Sequence, residues 1–304
     1  MYTMPIILKE IGTDKLMNMK KCFTLAILLF LPFLTVHAND VSETSDFTLS
    51  KIQVASIKDT QADRQYELYI KLPEEYTKNK DKIYPVIYFT DALWHIELLS
   101  AATEFLMEDA ILVGISWQKD IKEDLQKDSG AHVSRFRDYS ISKSSNPERQ
   151  AKYQFGQASN HLDFIRNDVI KTIENNYRAD PNKRTYFGYS MGGKFGAYIL
   201  LTQHDTFKNY ILGSPSLSRD IPYLSKLSGN TALKRKGLNA NVFISYGTLE
   251  KKLGMHTEKL ITLLKARNDK SLSLKHVVIE GSHQTAFPLT GVRSVTWLTN
   301  LNTD

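Results

Sequence analysis

A serine turn flanked by glycines constrains the fold of this chain more than any other feature of its sequence. The run Gly188-Tyr189-Ser190-Met191-Gly192 has the pattern G-x-S-x-G. A short strand is predicted before it, at residues 185–189, and a helix after it, at residues 191–202. Glycines have no Cβ, so strand and helix can approach closely while the turn lifts the serine hydroxyl out of the sheet. The pattern therefore predicts a nucleophilic Ser190 at the edge of a sheet.

The rest of the chain alternates between strand-like and helical segments. The runs at residues 84–90 and 110–116 are almost wholly apolar, which is typical of buried strands. Such alternation predicts an α/β fold, with a mainly parallel sheet covered by helices on both faces and the first two strands pairing antiparallel at one edge. The other predicted strands are 47–57, 66–72, 209–212, 241–246 and 274–279, and the other predicted helices are 94–107, 157–177, 254–267 and 287–301.

The first 38 residues have the pattern of a signal peptide, with an upstream start before Met19. Two lysines at 20–21 precede an apolar run that ends in Val36-His37-Ala38, a small-residue cleavage pattern. The run is about 15 residues, shorter than a membrane-spanning helix requires. We expect cleavage after Ala38, a periplasmic or secreted protein without stable membrane insertion, and a single catalytic domain over residues 39–304. An uncleaved anchor is the alternative.

Composition excludes several other classes of protein. The net charge is +6, yet the basic residues are interleaved with acidic ones and form no stripe with aromatics, so no nucleic-acid partner is expected. The only cysteine, Cys22, lies in the targeting segment. The exported chain is therefore expected to have no disulfide, no thiol nucleophile and no cysteine metal site. Serine chemistry requires no metal and no organic cofactor, and none is predicted.

A serine hydroxyl needs a base, and on this fold the histidine comes last in the chain. Four histidines follow Ser190. His283 lies in the loop Gly281-Ser282-His283, just past the last predicted strand, where open α/β sheets build their sites. It is the candidate base because the others lie at the end of the serine's own helix, at the start of a helix and within a strand: His204, His256 and His276.

The acidic partner of His283 is predicted from the same edge of the sheet. Glu250 follows the strand at 241–246 through a short turn. Asp269 comes after a helix, at the opposite end of the sheet, and Glu258 lies in the middle of that helix. Glu250 is therefore favoured, and a dyad of Ser190 and His283 without a third member is the alternative.

Two backbone N–H groups are needed to hold the oxyanion that forms when a serine attacks a carbonyl. One is expected from Met191, directly after the nucleophile. The other is expected from Ala92 or Leu93, in the loop after the strand at 84–90. Two polar segments, 117–155 and 225–237, are predicted as insertions, the first as a cover over the site and the second as solvated surface.

Six short stretches of the sequence carry a family resemblance. They are YPVIYFTDA at 84–92, RFRDYS at 135–140, the stretch 164–201, GSPSL at 213–217, GTLE at 247–250 and GSH at 281–283. On these stretches the chain resembles the esterase family that includes esterase D, feruloyl esterases and enterobactin-type siderophore esterases. The resemblance extends from about residue 50 to the C-terminus, and it implies the α/β-hydrolase fold, catalytic roles for Ser190 and His283, and an oxyanion role for the Asp91-Ala92 turn. The family often has Asp-Gly at that turn.

The sequence thus predicts an exported serine esterase that acts on a small-molecule ester through an acyl-enzyme. A siderophore lactone is the predicted substrate, with Arg135 and Arg137 binding its phenolate or carboxylate groups. The alternative for both arginines is pairing with Asp138 and nearby acids. A general short-chain or aromatic carboxylesterase, an acyltransferase of the same fold and a non-enzymatic binding protein are the competing functions.

Overall fold

The computed structural model describes residues 51–229 and 237–301, and these residues contain one eight-stranded sheet. Its strands are β1 (Ile52–Asp59), β2 (Arg64–Lys71), β3 (Tyr84–Phe89), β4 (Ile111–Ile115), β5 (Ala179–Tyr189), β6 (Asn209–Gly213), β7 (Ala240–Gly247) and β8 (Leu272–Ile279). They are ordered β1-β2-β4-β3-β5-β6-β7-β8. The predicted signal peptide, residues 1–38, lies outside the described residues.

The sheet is parallel from β4 to β8, while β1 and β2 pair antiparallel at one edge, as predicted. The central strands are buried on both faces, which explains their continuous apolar runs. Register brings the ends of neighbouring strands level, with Phe89 opposite Gly114 and Tyr189 opposite Gly213. The loops after β3, β5, β6, β7 and β8 therefore meet at one edge of the sheet.

Helices cover both faces of the sheet. One face packs against α1 (Ala92–Leu106) and the C-terminal α10 (Ala286–Leu301), and the other face packs against five further helices. These are α5 (Ala158–Phe164), which continues through a π turn at Ile165–Val169 into α6 (Ile170–Asn176), then α7 (Met191–Thr202), α8 (Ile221–Ser228) and α9 (Lys251–Ala266). This arrangement confirms the predicted α/β architecture. Among the described residues, no helix is both long and apolar enough to cross a membrane.

The two predicted insertions contain more regular structure than their polar composition suggested. Residues 117–155 include three short helices, α2 (Glu123–Ser129), α3 (Arg135–Asp138) and α4 (Pro147–Tyr153). Val133 and Tyr139 anchor this segment to the core, with 2% and 1% of their surfaces exposed. The second segment was predicted to begin as a loop at Ser225, but its first residues complete the last turn of α8. Residues 230–236 lie outside the described residues.

Candidate functional site

The turn at Ser190 has the strained geometry that its glycines allow. Ser190 separates β5 from α7 with φ 56° and ψ −113°, in a region that non-glycine residues seldom occupy. A Cβ at Gly188 would lie 2.4 Å from the carbonyl oxygen of Gly192, so strand and helix pass too closely for any side chain there. The Ser190 N–H donates to the carbonyl of Gly213 at 2.9 Å. The backbone thus presents the serine side chain at the end of the sheet.

His283 and Glu250 are in direct contact at the neighbouring strand ends. Nδ1 of His283 lies 2.5 Å from Oε1 of Glu250. The other oxygen, Oε2, accepts from the Gly247 N–H at 2.5 Å and contacts the Ser214 hydroxyl at 2.7 Å. The Glu250 side chain is only 5% exposed, whereas His283 is 34% exposed. The carboxylate is therefore fixed from several directions while the imidazole remains accessible.

Hydrogen bonding keeps Glu250 ionised despite its burial. Burial by itself raises the pKa of a carboxyl, but the hydrogen bonds from His283, from the Gly247 N–H and from Ser214 outweigh it and lower the pKa of Glu250. An ionised carboxylate accepts the Nδ1 proton of the imidazole. Nε2 of His283 is then left as the proton acceptor, which is the tautomer that a general base needs.

The loops that carry the pair are also bound to each other. The Leu249 N–H donates to the carbonyl of Gly281 at 3.0 Å, and the Gly281 N–H donates to Oγ1 of Thr248 at 3.1 Å. Tyr189, next to the serine, donates its hydroxyl proton to the His283 carbonyl at 2.7 Å. These contacts connect the histidine loop both to the acid and to the serine turn.

Ala92 and Met191 occupy equivalent positions on two adjacent helices. Each is the first residue of its helix, α1 or α7, and the N–H groups of first-turn residues have no acceptor within the helix. The two turns touch, since a Cβ at Gly192 would lie 2.5 Å from Oγ1 of Thr90. Asp91, with φ 58°, takes the left-handed conformation, while Ala92 is helical. The glycine that the family often has at position 92 is therefore not required by the backbone here.

Ser190 and His283 line one pocket of about 440 Å³. No hydrogen bond joins these two side chains in the described residues; instead Oγ of Ser190 lies 3.2 Å from Oγ of Ser216. Catalytic hydrogen bonds of this kind are often long before substrate binds. The other residues that line the pocket are mostly aromatic or planar: Trp94, His95, Arg135, Tyr189, Gln284 and Phe287.

His95 contributes a neutral ring to this pocket. Its Nδ1 lies 2.9 Å from the carbonyl of Thr90, and its ring stacks on Phe287 with centroids 4.8 Å apart. Burial lowers the pKa of His95 to about 4, and the nearby Asp91 opposes this only in part. The ring is therefore neutral near pH 7 and donates from Nδ1 to the carbonyl.

The two arginines predicted to bind substrate lie in different places. Arg135 lines the pocket, but its Nη2 donates to Oδ2 of the fully buried Asp91 at 3.0 Å and its guanidinium lies 4.6 Å from the Trp94 ring. Arg137 does not reach the pocket, contrary to the prediction. It donates from Nε to Asp138 at 2.8 Å and from Nη2 to the Tyr66 hydroxyl at 3.2 Å. Arg137 thus has the structural pairing that was its alternative.

The structure brings Ser190, His283, Glu250 and the N–H groups of Met191 and Ala92 to one edge of the sheet. Several pocket residues were not identified from the sequence. His95 was passed over because only histidines after the serine were considered. Tyr189 lies within the recognised serine motif but was given no role, and Trp94 and Phe287 were predicted only as first residues of helices. Ser214 and Ser216, which contact Glu250 and Ser190, lie within the recognised stretch 213–217 but were also given no role.

The sheet, the strained serine turn and the histidine at the last strand end define a serine ester hydrolase of the α/β-hydrolase fold. The family described as "Putative esterase" matches residues 60–300, and the chain belongs to that family.

Individual relatives agree with this assignment. The chain is 29% identical over 231 residues to the ferri-bacillibactin esterase BesA of Bacillus subtilis (strain 168), covering 71% of this chain and 76% of the relative. The BES protein from Bacillus cereus superimposes with a TM-score of 0.73 at 24% identity, covering 86% of this chain and 99% of that one. The enterobactin hydrolase IroE in complex with DFP gives 0.59 at 20% identity, covering 82% and 94%. The last two likenesses are evidence of a shared fold.

Proposed function

We propose that the protein is an exported serine esterase that cleaves carboxylic esters through an acyl-enzyme, and that its natural substrate is a siderophore lactone. One observation carries the catalytic part of the proposal. Ser190, on its strained turn, and His283, held by Glu250 at 2.5 Å, line the same pocket. A serine, an acid and a base in this chain order, each following a strand end, are the components of acyl transfer.

The reaction begins when Nε2 of His283 takes the hydroxyl proton of Ser190 and the serine oxygen attacks the ester carbonyl carbon. The N–H groups of Met191 and Ala92 hold the negative charge that develops on the carbonyl oxygen. Glu250 orients the imidazole and stabilises its cationic form without taking the proton. The alcohol leaves with the proton from His283, and water then attacks the acyl-enzyme in a second round.

The residues that line the pocket support an aromatic substrate such as a catecholate lactone. Trp94, Tyr189 and Phe287 line it and offer ring faces or edges to a planar group. Arg135 lies at the same wall, where a guanidinium pairs with phenolate oxygens. The name of the relative BesA, a ferri-bacillibactin esterase, supports the same substrate class.

The substrate proposal is tested by comparing kcat/KM on a catecholate trilactone and on a simple p-nitrophenyl ester. We expect the trilactone to be preferred, with Ser190→Ala giving the background for both. If the simple ester is cleaved as well or better, a general carboxylesterase is the better description. Product analysis in the presence of added alcohols separates hydrolysis from acyl transfer, because a transferase would yield new esters.

Export is a separate part of the proposal and rests on the pattern at residues 20–38. N-terminal sequencing of the protein recovered outside the cytosol is expected to begin at Asn39. A mature chain that still contains the apolar run at 23–36 would contradict it.

A further inference from the structure

A second cavity, of about 120 Å³, lies beside the serine turn and is rich in positive charge. Met191, whose N–H we assign to the oxyanion, forms part of its wall. Lys194, also in the wall, follows Ser190 by one turn of α7, roughly 6 Å along the helix axis. The four basic side chains that line the cavity come from the insertion, from α7 and from the loop after β6: Lys143, Arg149, Lys194 and Arg219.

The positive charge of this cavity is only partly neutralised. Asp220 is its one acidic residue, and it lies 3.4 Å from Nζ of Lys194, both side chains being largely buried. Among the ion pairs of the described residues, none involves Lys143, Arg149 or Arg219. The cavity thus keeps an excess of three positive charges, whose mutual repulsion a bound anion would relieve.

Local hydrogen bonds hold the insertion in place at this cavity. Asn146 caps α4 by accepting from the Arg149 N–H at 2.9 Å. The Gln150 side chain accepts from the Ser144 N–H at 2.7 Å and donates to the Phe155 carbonyl at 3.1 Å. The guanidinium of Arg149 lies 5.7 Å from the Phe155 ring. The backbone that carries these cations is therefore fixed in position by its own contacts.

We propose that this cavity is a subsite for an anionic group of the substrate, a carboxylate or phenolate about one helical turn from the attacked carbonyl. The proposal rests on the catalytic role assigned to Ser190. Aromatic side chains line the pocket at Ser190 and cations line the cavity at Met191, so an ester that reaches both carries an aromatic or apolar part and an anionic part. Lys143, Arg149 and Arg219 then determine specificity without taking part in bond breaking.

The test compares three esters: neutral phenyl butyrate, phenyl monosuccinate with a carboxylate on the acyl side, and 3-carboxyphenyl butyrate with one on the alcohol side. In K143Q/R149Q/R219Q we expect kcat/KM to fall about 10-fold or more on at least one anionic ester, mainly through KM, and less than about 2-fold on phenyl butyrate. The ester that loses more shows which side of the scissile bond faces the cavity. All three replaced side chains are at exposed positions, so the fold should be retained.

The matched control is K171Q/K183Q/K265Q, which removes the same charge from exposed positions that do not line the cavity. It should leave all three esters unaffected. An equal loss in the control would mean that the overall field of the protein attracts anions, and would overturn the subsite, as would an equal loss on neutral and anionic esters or no loss on any. Failure of the catalytic assignment is recognised separately, because Ser190→Ala would then still cleave phenyl butyrate.

Discussion

The site has two sides that the chain builds in different ways. On one side, Glu250 and His283 follow β7 and β8 by three and four residues, so strand register almost fixes where they lie. On the other side, Arg135 lies in a long insertion, far along the chain from β4, and pairs with Asp91 from a distant segment. Arg137 of the same insertion points elsewhere and pairs with the adjacent Asp138 and with Tyr66. Position relative to a strand end therefore predicts where a side chain lies, whereas composition within an insertion does not.

The largest loss of activity is expected when the nucleophile or the base is replaced. Ser190→Ala removes the nucleophile, and His283→Ala removes the base, so each should lower kcat by about 10⁴-fold or more while the fold is retained. Steady-state kinetics on phenyl butyrate and thermal melting measure the two properties. Labelling by a fluorophosphonate probe, located at Ser190 by mass spectrometry, provides an independent check. A Ser190→Ala enzyme with near-normal turnover would remove this serine from the mechanism.

Glu250→Gln should have the next largest effect on turnover. The amide keeps the shape but no longer stabilises the imidazolium, so we expect kcat to fall by roughly 10³-fold, less than in His283→Ala. Wild-type turnover in this variant would leave a Ser190–His283 dyad as the catalytic unit.

The difference in stability between wild type and Glu250→Gln is predicted to depend on pH. Because the pKa of Glu250 is lowered on folding from its ordinary value of 4.5, the ionised carboxylate stabilises the fold above that pH, and the contribution is lost as the pH falls through the folded-state value. The Tm difference between wild type and Glu250→Gln should therefore be present at neutral pH and shrink below about pH 4.5. A difference that stays constant into acid would contradict the lowered pKa.

The sequence was informative wherever a short motif followed a strand. The sheet, the serine turn, the helix start at Met191 and the acid at 250 all depend on local pattern and strand register, and the structure places them as predicted. It was least informative for contacts that depend on folding of the insertion. The pairing of Asp91 with Arg135 and the edge-on contact of Trp94 with Trp117 each join the start of α1 to the insertion, two segments with no shared motif.

The two arginines of α3 contact different parts of the molecule, Arg135 the buried Asp91 and Arg137 the buried Asp138. Residues two apart on a helix do not share a face, which explains why Arg135 lines the pocket and Arg137 does not. Arg137→Ala leaves the 3% exposed Asp138 without its cationic partner, so the free energy of unfolding should fall by about 3 kcal/mol. Its kcat/KM should change less than about 3-fold, which corresponds to under 1 kcal/mol in transition-state binding.

Arg135→Ala, in contrast, should lower both the free energy of unfolding and kcat/KM. The substitution leaves the buried Asp91 carboxylate, beside the oxyanion turn, without its cationic partner. It also removes the cation from the pocket wall, so kcat/KM on an anionic aromatic ester should fall by about 10-fold. Denaturant unfolding and kinetics on both variants test this pair together. If Arg137→Ala lost as much activity as Arg135→Ala at equal stability, the two would share a substrate role after all.

The smallest change in kcat is expected for Ala92→Gly, which gives the oxyanion turn the Asp-Gly sequence that the family often has. In this chain the left-handed residue is Asp91, a type that tolerates this conformation, and Ala92 already has helical geometry with its N–H free of the helix. Ala92→Gly therefore keeps the donor and removes only a buried methyl group that faces Gly114, at a cost of up to about 1 kcal/mol in stability. We expect kcat within about 2-fold of wild type, because the N–H that holds the oxyanion is unchanged. A rise of 10-fold or more, above ~1.4 kcal/mol in the barrier, would show that the methyl group limits access to the donor, and the backbone at position 92 would then be less fixed than its place in α1 implies.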